Sequence, residues 1–463
     1  MTVASDPTPL APTAPTGPRL VTDLAVARAL LTRRRGFEET ALSSRMQEGV
    51  RRVFREDLSA EQVVDRILAD VRTEGDTAVD RYTLAFDGAV PGAPEVPRAD
   101  WDRALASLAP DLAAALHLAK EQIAAFHRKQ LRTSWLDYSD EGALGQIVRP
   151  LDRVGIYTPG GTAAYPSSLL MTAVPARVAG VGEIVVCAPP GPDGRVSPLI
   201  LAAAAVAGVD RLFPIGGAQA IAALAYGTDR VPHVDKIFGP GNVFVVLAKR
   251  RVFGVVGIDQ LPGPTETLLV ADGDADPALA AADLLAQAEH DRMASAILIT
   301  TSADLAAAVM DELAVQLATL ERREIAAESL ATNGLIVVVP DLDTAMELAN
   351  SYAPEHLCLL LADPWRAVPM VKHAGGVFVG EHSPEALGDY TAGPSHVMPT
   401  GGTARFSSPT HVGEFTKVIS LAAANQRAID RLGPATIALA RAEGLGGHAR
   451  AIERRLTADT EER

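Results

Sequence analysis

The 463-residue sequence is short of several things, and each shortage excludes a class of function. It has only two cysteines, Cys187 and Cys358, and both lie inside apolar runs of strand type. They read as buried reduced thiols, which suits a cytoplasmic location. Aromatic residues make up 5% of the chain and hydrophobic residues 48%, so Ala, Val and Leu carry the core of what reads as a soluble globular protein with helices on sheets. Basic residues number 42 against 57 acidic ones, and no long Lys/Arg cluster offsets the net charge of −15, so no nucleic-acid partner is expected. The longest apolar run, Leu199 to Val209, is too short to cross a bilayer, and no membrane partner is expected either. The N-terminus lacks the basic and hydrophobic regions of a signal peptide. A dinucleotide fingerprint is also missing. No GxGxxG lies between a strand and a helix, and Gly444-Leu445-Gly446-Gly447-His448 follows a helix.

The length allows two to four domains. Residues 1–20, mostly Pro, Thr and Ala, are expected to be disordered. Residues 21–50 read as a helical arm whose run Arg33-Arg34-Arg35 is a solvated face. Helical patterns dominate 60–130, with a long one from Trp101 to Lys129, and the Pro/Gly-rich stretch Asp87 to Asp100 reads as loop. After Val148 short β-branched runs alternate with helical segments. Ile184–Cys187, Arg211–Ile215 and Lys236–Phe238 are separated by helices at 198–208 and 218–226. A second series begins at Thr267–Val270. It continues through helix 276–290, Ala296–Ile299, helix 303–321, Leu335–Val339, helix 342–352, Leu357–Leu360, helix 364–373 and Val377–Val379. This is βαβ order, which predicts an α/β fold of two tandem Rossmann-like domains with parallel sheets and a cleft between them. Residues 157–263 are expected to form one domain and 51–156 with 264–408 the other. From about 409 to 463 the pattern reads as a helical tail.

Several residues have the chemistry for a site. Gln287 and His290 lie three apart on the predicted helix 276–290, so both leave one face and make half of a metal site, or simply two polar groups on an apolar helix. Tyr157-Thr158-Pro159-Gly160-Gly161-Thr162, Gly216-Gly217-Ala218-Gln219 and Gly239-Pro240-Gly241-Asn242 each follow a strand. Three Gly-rich strand ends in one sheet point to its carboxyl edge, where α/β proteins bind ligands. Glu355 and His356, adjacent at a strand boundary, can act as an acid/base pair, although alone they read as a helix cap and a solvated acid. Asp389 in Gly388-Asp389-Tyr390 offers an anionic oxygen. Glu443 and His448, five apart in the tail, are remote from everything else unless the tail reaches another site.

In order, Tyr157-x-Pro-Gly-Gly, Gly216-Gly-Ala-Gln-Ala, Phe238-Gly-Pro-Gly-Asn, Gly263-Pro-Thr-Glu, Gln287-Ala-Glu-His, Pro354-Glu-His-Leu, Gly388-Asp-Tyr, His396-Val-x-Pro-Thr and Glu443-Gly-Leu-x-x-His resemble the histidinol dehydrogenase family. The resemblance is colinear and runs from about residue 150 to 456. It implies oxidation of L-histidinol to L-histidine by two hydride transfers to NAD⁺ through an aldehyde. It also implies one zinc ion per subunit, held by Gln287, His290, Asp389 and His448, with Glu355 and His356 as the catalytic acid/base pair. Thr265, Glu443 and His356 join the four metal ligands in holding the substrate, and Tyr157, Gln219 and Asn242 contact NAD. On this resemblance 51–156 with 264–408 carries the metal and catalytic residues and 157–263 the NAD contacts. The tail belongs to a homodimer with shared sites, in which Glu443 and His448 come from the partner subunit. Two departures stand out. Thr265 replaces a serine common in relatives but keeps the hydroxyl. The loop Gly393-Pro394-Ser395-His396 differs from the expected Gly-Thr-Asn-His, which leaves His396 outside the implied site. Alternatives are a related zinc dehydrogenase of another small polar alcohol and a non-enzymatic nucleotide-binding protein. Glu443 beside His448 favours histidinol, because a carboxylate there suits a substrate amine.

Overall fold

The computed structural model describes residues 17–32, 42, 44–88, 92–160 and 165–457. Its first elements are β1 (Arg19–Val21) and α1 (Leu24–Leu31), followed by α2 (Ser44–Phe54), α3 (Ala60–Glu74), α4 (Asp76–Asp87), α5 (Arg98–Ala106) and α6 (Pro110–Arg128). A hairpin of β2 (Trp135–Ser139) and β3 (Gly142–Pro150) leads into β4 (Arg153–Tyr157), α7 (Pro166–Ala179), β5 (Glu183–Cys187), α8 (Pro198–Ala207), β6 (Arg211–Phe213), α9 (Gly217–Tyr226), β7 (Lys236–Phe238), α10 (Val243–Val252) and β8 (Gly257–Ile258). The second series is β9 (Glu266–Ala271), α11 (Pro277–Ala288), β10 (Ser295–Thr300), α12 (Ala303–Leu317), α13 (Arg323–Asn333), β11 (Leu335–Val338), α14 (Leu342–Tyr352), β12 (His356–Leu360), β13 (Gly376–Val379) and α15 (Glu385–Tyr390). The last elements are β14 (Thr416–Ala424), α16 (Gln426–Ala442) and α17 (Gly446–Thr457).

Two all-parallel sheets organise the α/β fold. One has the order β6-β5-β4-β7-β8, the other β11-β10-β9-β12-β13 with β1 added beside β11. In both, the chain starts at a central strand, winds outward one way, then returns and winds outward the other way, which is the doubly wound topology. Strand residues are apolar on both faces because helices cover both. Val154, Ile156, Ile184 and Val186 pack toward α5, α6, α7 and α8. Their neighbours Val185, Cys187, Phe213 and Ile237 pack toward α2, α3, α4, α9 and α10. In the larger sheet Leu269, Leu298, Ile336 and Cys358 share a core with α11, α12 and α13, while Leu268, Ile297, Leu357 and Leu359 share one with α1 and α14. Both cysteines are buried, unpaired strand residues, as their setting in the sequence suggests.

The structure corrects several expectations. Residues 51–128 do not accompany the second series. The apolar stripes of α3 (Val63, Ile67, Val71) and of α5 and α6 (Trp101, Leu116, Ile123) are buried in the cores of the five-stranded sheet instead, and β4 already belongs to that sheet. Residues 19–21, expected in a disordered tail and a helical arm, form the edge strand β1 on β11. Residues 1–16 and Arg33-Arg34-Arg35 lie outside the described residues. The long helix at 101–129 is two helices, because Pro110 starts a new one at its first position, where a missing N–H is harmless. Helix 303–321 stops at Leu317, and α13 follows it. Segment 364–373 holds only two short 3₁₀ turns, because Pro364 and Pro369 remove donors an α-helix would need. The region from 409 contains the nine-residue β14, paired antiparallel with β3, which in turn pairs with β2.

The loop after β7 is tied down by a buried ion pair. Lys249 of α10 and Asp259 are both almost wholly inaccessible and contact each other directly. Lys249 Nζ also donates to the Gly239 carbonyl at 2.8 Å, and Asp259 accepts from the Gly239 N–H at 2.7 Å. Gly239 has φ +107°, and a Cβ there would lie 2.1 Å from the Tyr157 carbonyl oxygen, so only glycine fits this crossing. Removing one partner of a buried pair strands the other charge. Lys249→Met is therefore expected to lower stability by about 3–5 kcal/mol in denaturant unfolding. A loss below about 1 kcal/mol would show that Asp259 needs no buried cation.

Candidate active site

The candidate acid/base residues stand at the amino ends of two neighbouring strands in the larger sheet. His356 is the first residue of β12, and Thr265 immediately precedes β9. These strands pair in parallel with His356 opposite Thr267, which brings Glu355, His356, Thr265 and Glu266 together. Glu355 Oε2 accepts from the Thr265 hydroxyl at 2.6 Å and from the Glu266 N–H at 3.0 Å. His356 Nδ1 lies 3.1 Å from the Glu266 carbonyl oxygen, so Nδ1 carries the proton and Nε2 is left with its lone pair. Nε2 is buried and has no hydrogen-bond partner; the Asp389 carboxylate is 3.9 Å away. The chain enters this corner through Ala353, a buried non-glycine residue at φ 57°, a left-handed conformation that costs on the order of 1 kcal/mol and sits just ahead of Pro354-Glu355.

Burial governs the electrostatics. It holds the Glu355 carboxyl well above the usual carboxylate range, against the opposing pull of its two hydrogen bonds. It lowers His356 to about 3, leaving a neutral imidazole able to accept a proton. Glu385, in α15, is buried beside them. It accepts from the Thr267 hydroxyl, lies 3.7 Å from His356 Nδ1, and is held well above the usual range by burial and by the Asp389 charge. Gly388 lets α15 come this close, since a Cβ there would meet Phe378 Cε1 at 2.5 Å. The sequence carried no local signal for Glu385; only the register of β9, β12 and α15 assembles it.

His396 is also gathered into this corner. Its Nδ1 lies 2.8 Å from the Asp389 carbonyl oxygen and its Nε2 3.1 Å from the Ser168 hydroxyl of α7, so it links the two sheet units. The departure in the preceding loop removes neither contact. Ser395 contributes a second link, donating to the Met171 carbonyl at 3.1 Å.

The four proposed metal ligands are placed unequally. α11 ends at Ala288 rather than 290, so His290 sits in the following turn and is exposed, while Gln287 is buried with its Nε2 unpartnered. α11 packs against α15, and His290 is near enough to act electrostatically on Asp389 and His356. Burial raises Asp389 to about 6, with His290 opposing. The carboxyl end of α11, with its partial negative charge, faces a cation favourably. Glu443 and His448 lie exposed in the α16–α17 hairpin, and neither side chain has a hydrogen bond or ion pair to the corner. Among the described residues, no three His, Cys, Asp or Glu side chains come together to hold an ion. One copy therefore presents a partial nitrogen and oxygen donor set with an orphaned amide beside it. That set suits zinc once a further ligand is added from outside the chain.

The three NAD candidates meet at the carboxyl edge of the other sheet. Tyr157, Gln219 and Asn242 all line one cleft of about 2150 Å³, ample for a dinucleotide. The Tyr157 hydroxyl accepts from the Gly217 N–H at 3.1 Å, and burial raises its pKa. Gln219 is fully buried, yet neither of its amide atoms has a partner. Asn242 caps α10, accepting from the N–H groups of Phe244 and Val245 at 3.0 and 3.2 Å. Gly161 and Thr162 of the first motif lie outside the described residues. Asp87, in a segment read as loop, is in fact the last residue of α4 and also lines the cleft.

A family model described as histidinol dehydrogenase matches residues 50–456. The histidinol dehydrogenase of Deinococcus radiodurans is 54% identical over 434 residues, covering 93% of this chain and 98% of its own. That of Thermus thermophilus is 54% identical over 399 residues, covering 86% of this chain and 95% of its own. The crystal structure of histidinol dehydrogenase from Elizabethkingia anophelis superposes with a TM-score of 0.87 at 32% identity, covering 96% of this chain and 98% of that one.

Burial raises Asp87 from 3.8 to about 6. The folded state therefore holds this proton more tightly than the unfolded chain does. The resulting stability is complete below the unfolded value and is lost as pH rises through about 6. In the protein free of ligands, Asp87→Asn is expected to raise the melting temperature relative to wild type at pH 8 but not at pH 4. Equal differences at both pH values would show that the carboxyl is not desolvated.

Proposed function

The chain belongs to the histidinol dehydrogenase family, and from that premise we propose that it oxidises L-histidinol to L-histidine in two hydride transfers to NAD⁺, the last steps of histidine biosynthesis. The observation that carries this reading is the buried, neutral His356 with its Nε2 unpaired beside Glu355. An alcohol oxidation needs a base for the hydroxyl proton, and Nε2 is a lone pair with no other partner. Deprotonation there would accompany loss of the first hydride and give the aldehyde. Glu355, anchored by Thr265 and the Glu266 N–H, would take a proton from the water that adds to the aldehyde carbon. As water adds, His356 would return its first proton to the aldehyde oxygen, giving the hydrate, and would then take a hydrate proton as the second hydride leaves. Thr265, whose hydroxyl bonds Glu355, would also help hold the substrate.

Gln287, His290 and Asp389 of one copy, with His448 of a second, would hold zinc. Bound there, the ion would supply a Lewis acid that grips the neutral imidazole and amine of histidinol. Glu443 of the second copy would accept a hydrogen bond from the substrate amine. Tyr157, Gln219 and Asn242 would contact NAD⁺, which would accept the hydride. The orphaned amide of Gln219 supports this, because an unsatisfied buried polar group costs about 1–3 kcal/mol unless a ligand or water answers it.

A homodimer accounts for the C-terminal unit. Trp135, Leu136, Tyr138 and Leu144 on the hairpin, Val418 and Ile419 on β14, and Leu432, Leu439 and Leu445 on the helices are all exposed. An apolar surface this extensive favours a protein partner. No helix among the described residues is long and apolar enough to cross a membrane, and a cytoplasmic location agrees with that reading.

Glu355→Gln is expected to slow the second oxidation roughly a hundredfold or more and the first much less, with zinc content unchanged. Equal slowing of both steps in single-turnover NADH traces would refute the division of roles. His448→Asn is expected to weaken zinc and histidinol binding together. Mixed dimers of the two inactive variants should regain activity if sites are shared, and verified mixed dimers without activity would place each site within one chain.

A further inference from the structure

Asp87 is an anion in an unfavourable position that no described residue relieves. It ends α4, where the helix dipole is negative, and Gly88 at φ 77° turns the chain away behind it. Its Oδ2 is buried without a hydrogen-bond partner, and no Lys, Arg or His pairs with it among the described residues. Arg103, which also lines the cleft, is held by Asp100. Burying a carboxylate in this way lowers stability, so a group that answers it must come from elsewhere.

The surroundings narrow the answer to a ligand in the cleft. Asp87 lines the same cavity as Tyr157, Gln219 and Asn242. A Cβ on Gly216 would lie 3.3 Å from Asp87 Oδ2 and 2.7 Å from Pro189 Cβ, so glycine keeps a space open between the strand ends of β5 and β6 and the carboxylate. A carboxylate is acceptor-only and repels phosphate, so it suits a donor part of a dinucleotide, and its two oxygens match a vicinal diol. The sheet order decides which ribose. β6 is one edge of the five-stranded sheet, and β8 at the other edge leads through six residues into Thr265, beside Glu355. The reacting nicotinamide belongs on the β7–β8 side, and Asp87 lies with β5 and β6.

We infer that Asp87 receives the 2′- and 3′-hydroxyls of the adenosine ribose of NAD⁺ and thereby excludes the 2′-phosphorylated dinucleotide; the inference rests on reading this cleft as the dinucleotide site. The acid comes from a helix outside the βαβ series, which explains why no dinucleotide fingerprint is needed in the strand-to-helix turns.

The test titrates NAD⁺ and NADP⁺ against the full-length, zinc-loaded protein and measures steady-state rates with histidinol for wild type, Asp87→Asn, Asp87→Ser and Gln219→Ala. Asp87→Asn is expected to weaken NAD⁺ binding about tenfold, the loss of one charge-assisted pair of hydrogen bonds, while kcat changes little. Asp87→Ser is expected to raise the NADP⁺ to NAD⁺ ratio of kcat/KM at least about tenfold. If Gln219→Ala weakens NAD⁺ binding and Asp87→Asn does not, the cleft holds the dinucleotide but Asp87 has no part in it, and the inference falls. If neither variant changes NAD⁺ binding, the dinucleotide reading of the cleft falls with it. Weaker NAD⁺ binding in both Asp87 variants, with no change in the NADP⁺ ratio, would overturn the assignment to the adenosine ribose.

Discussion

A crossover helix in a parallel sheet must travel back to the edge from which its strand set out, and α11 obeys this constraint. It leaves the carboxyl end of β9 and delivers Gln287 to the amino edge, where β9 and β12 begin with Glu266 and His356. Thr265, Gln287 and the adjacent pair Glu355 and His356 come from three separate segments, and this return path places them at one edge. Doubly wound proteins bind ligands at the carboxyl edge of the sheet, and Tyr157, Gln219 and Asn242 line a cleft at that edge of the five-stranded sheet. The larger sheet offers its opposite edge. The contacts of His396 with Ser168 and of Ser395 with Met171 hold the two edges together.

The corner around Glu355 and His356 is built against stability. Glu355 and Glu385 are buried acids without a cation close by, His356 is buried with a bare nitrogen, and Ala353 is held in a left-handed conformation. Each of these costs free energy. The cost is bearable because the surrounding β-strands are apolar and packed on both faces, as Leu268, Leu269, Leu357 and Cys358 illustrate. Desolvation is also what makes the corner useful, since it keeps His356 neutral and ready to accept a proton. Gln219 and Asp87 of the large cleft follow the same pattern, each a buried polar group that no described residue answers.

The C-terminal unit differs in character. β14 and the α16–α17 hairpin expose apolar side chains, and Glu443 and His448 are exposed with them. A unit that exposes so much apolar surface favours contact with a further protein surface.

Much was legible in the sequence. The alternation of apolar runs with helical segments foretold two parallel α/β series, because a strand covered on both faces must be apolar throughout. The Gly-rich strand ends marked the edge where the cleft opens, since only glycine tolerates crossings such as Gly239 over Tyr157. Local chemistry set the caps, as Asn242 and Asp276 show. Other features were decided only in three dimensions. The helices of 51–128 joined the five-stranded sheet because their apolar stripes fit its helices, and complementarity between distant surfaces leaves no periodic mark. β14 was read as helix because its residues are exposed and carry no buried alternation. Glu385, His396 and Asp87 took their places through register and helix packing. Periodicity along the chain sets which residues turn inward, but which buried polar groups meet depends on contacts between segments hundreds of residues apart, and those exist only once the sheets have formed.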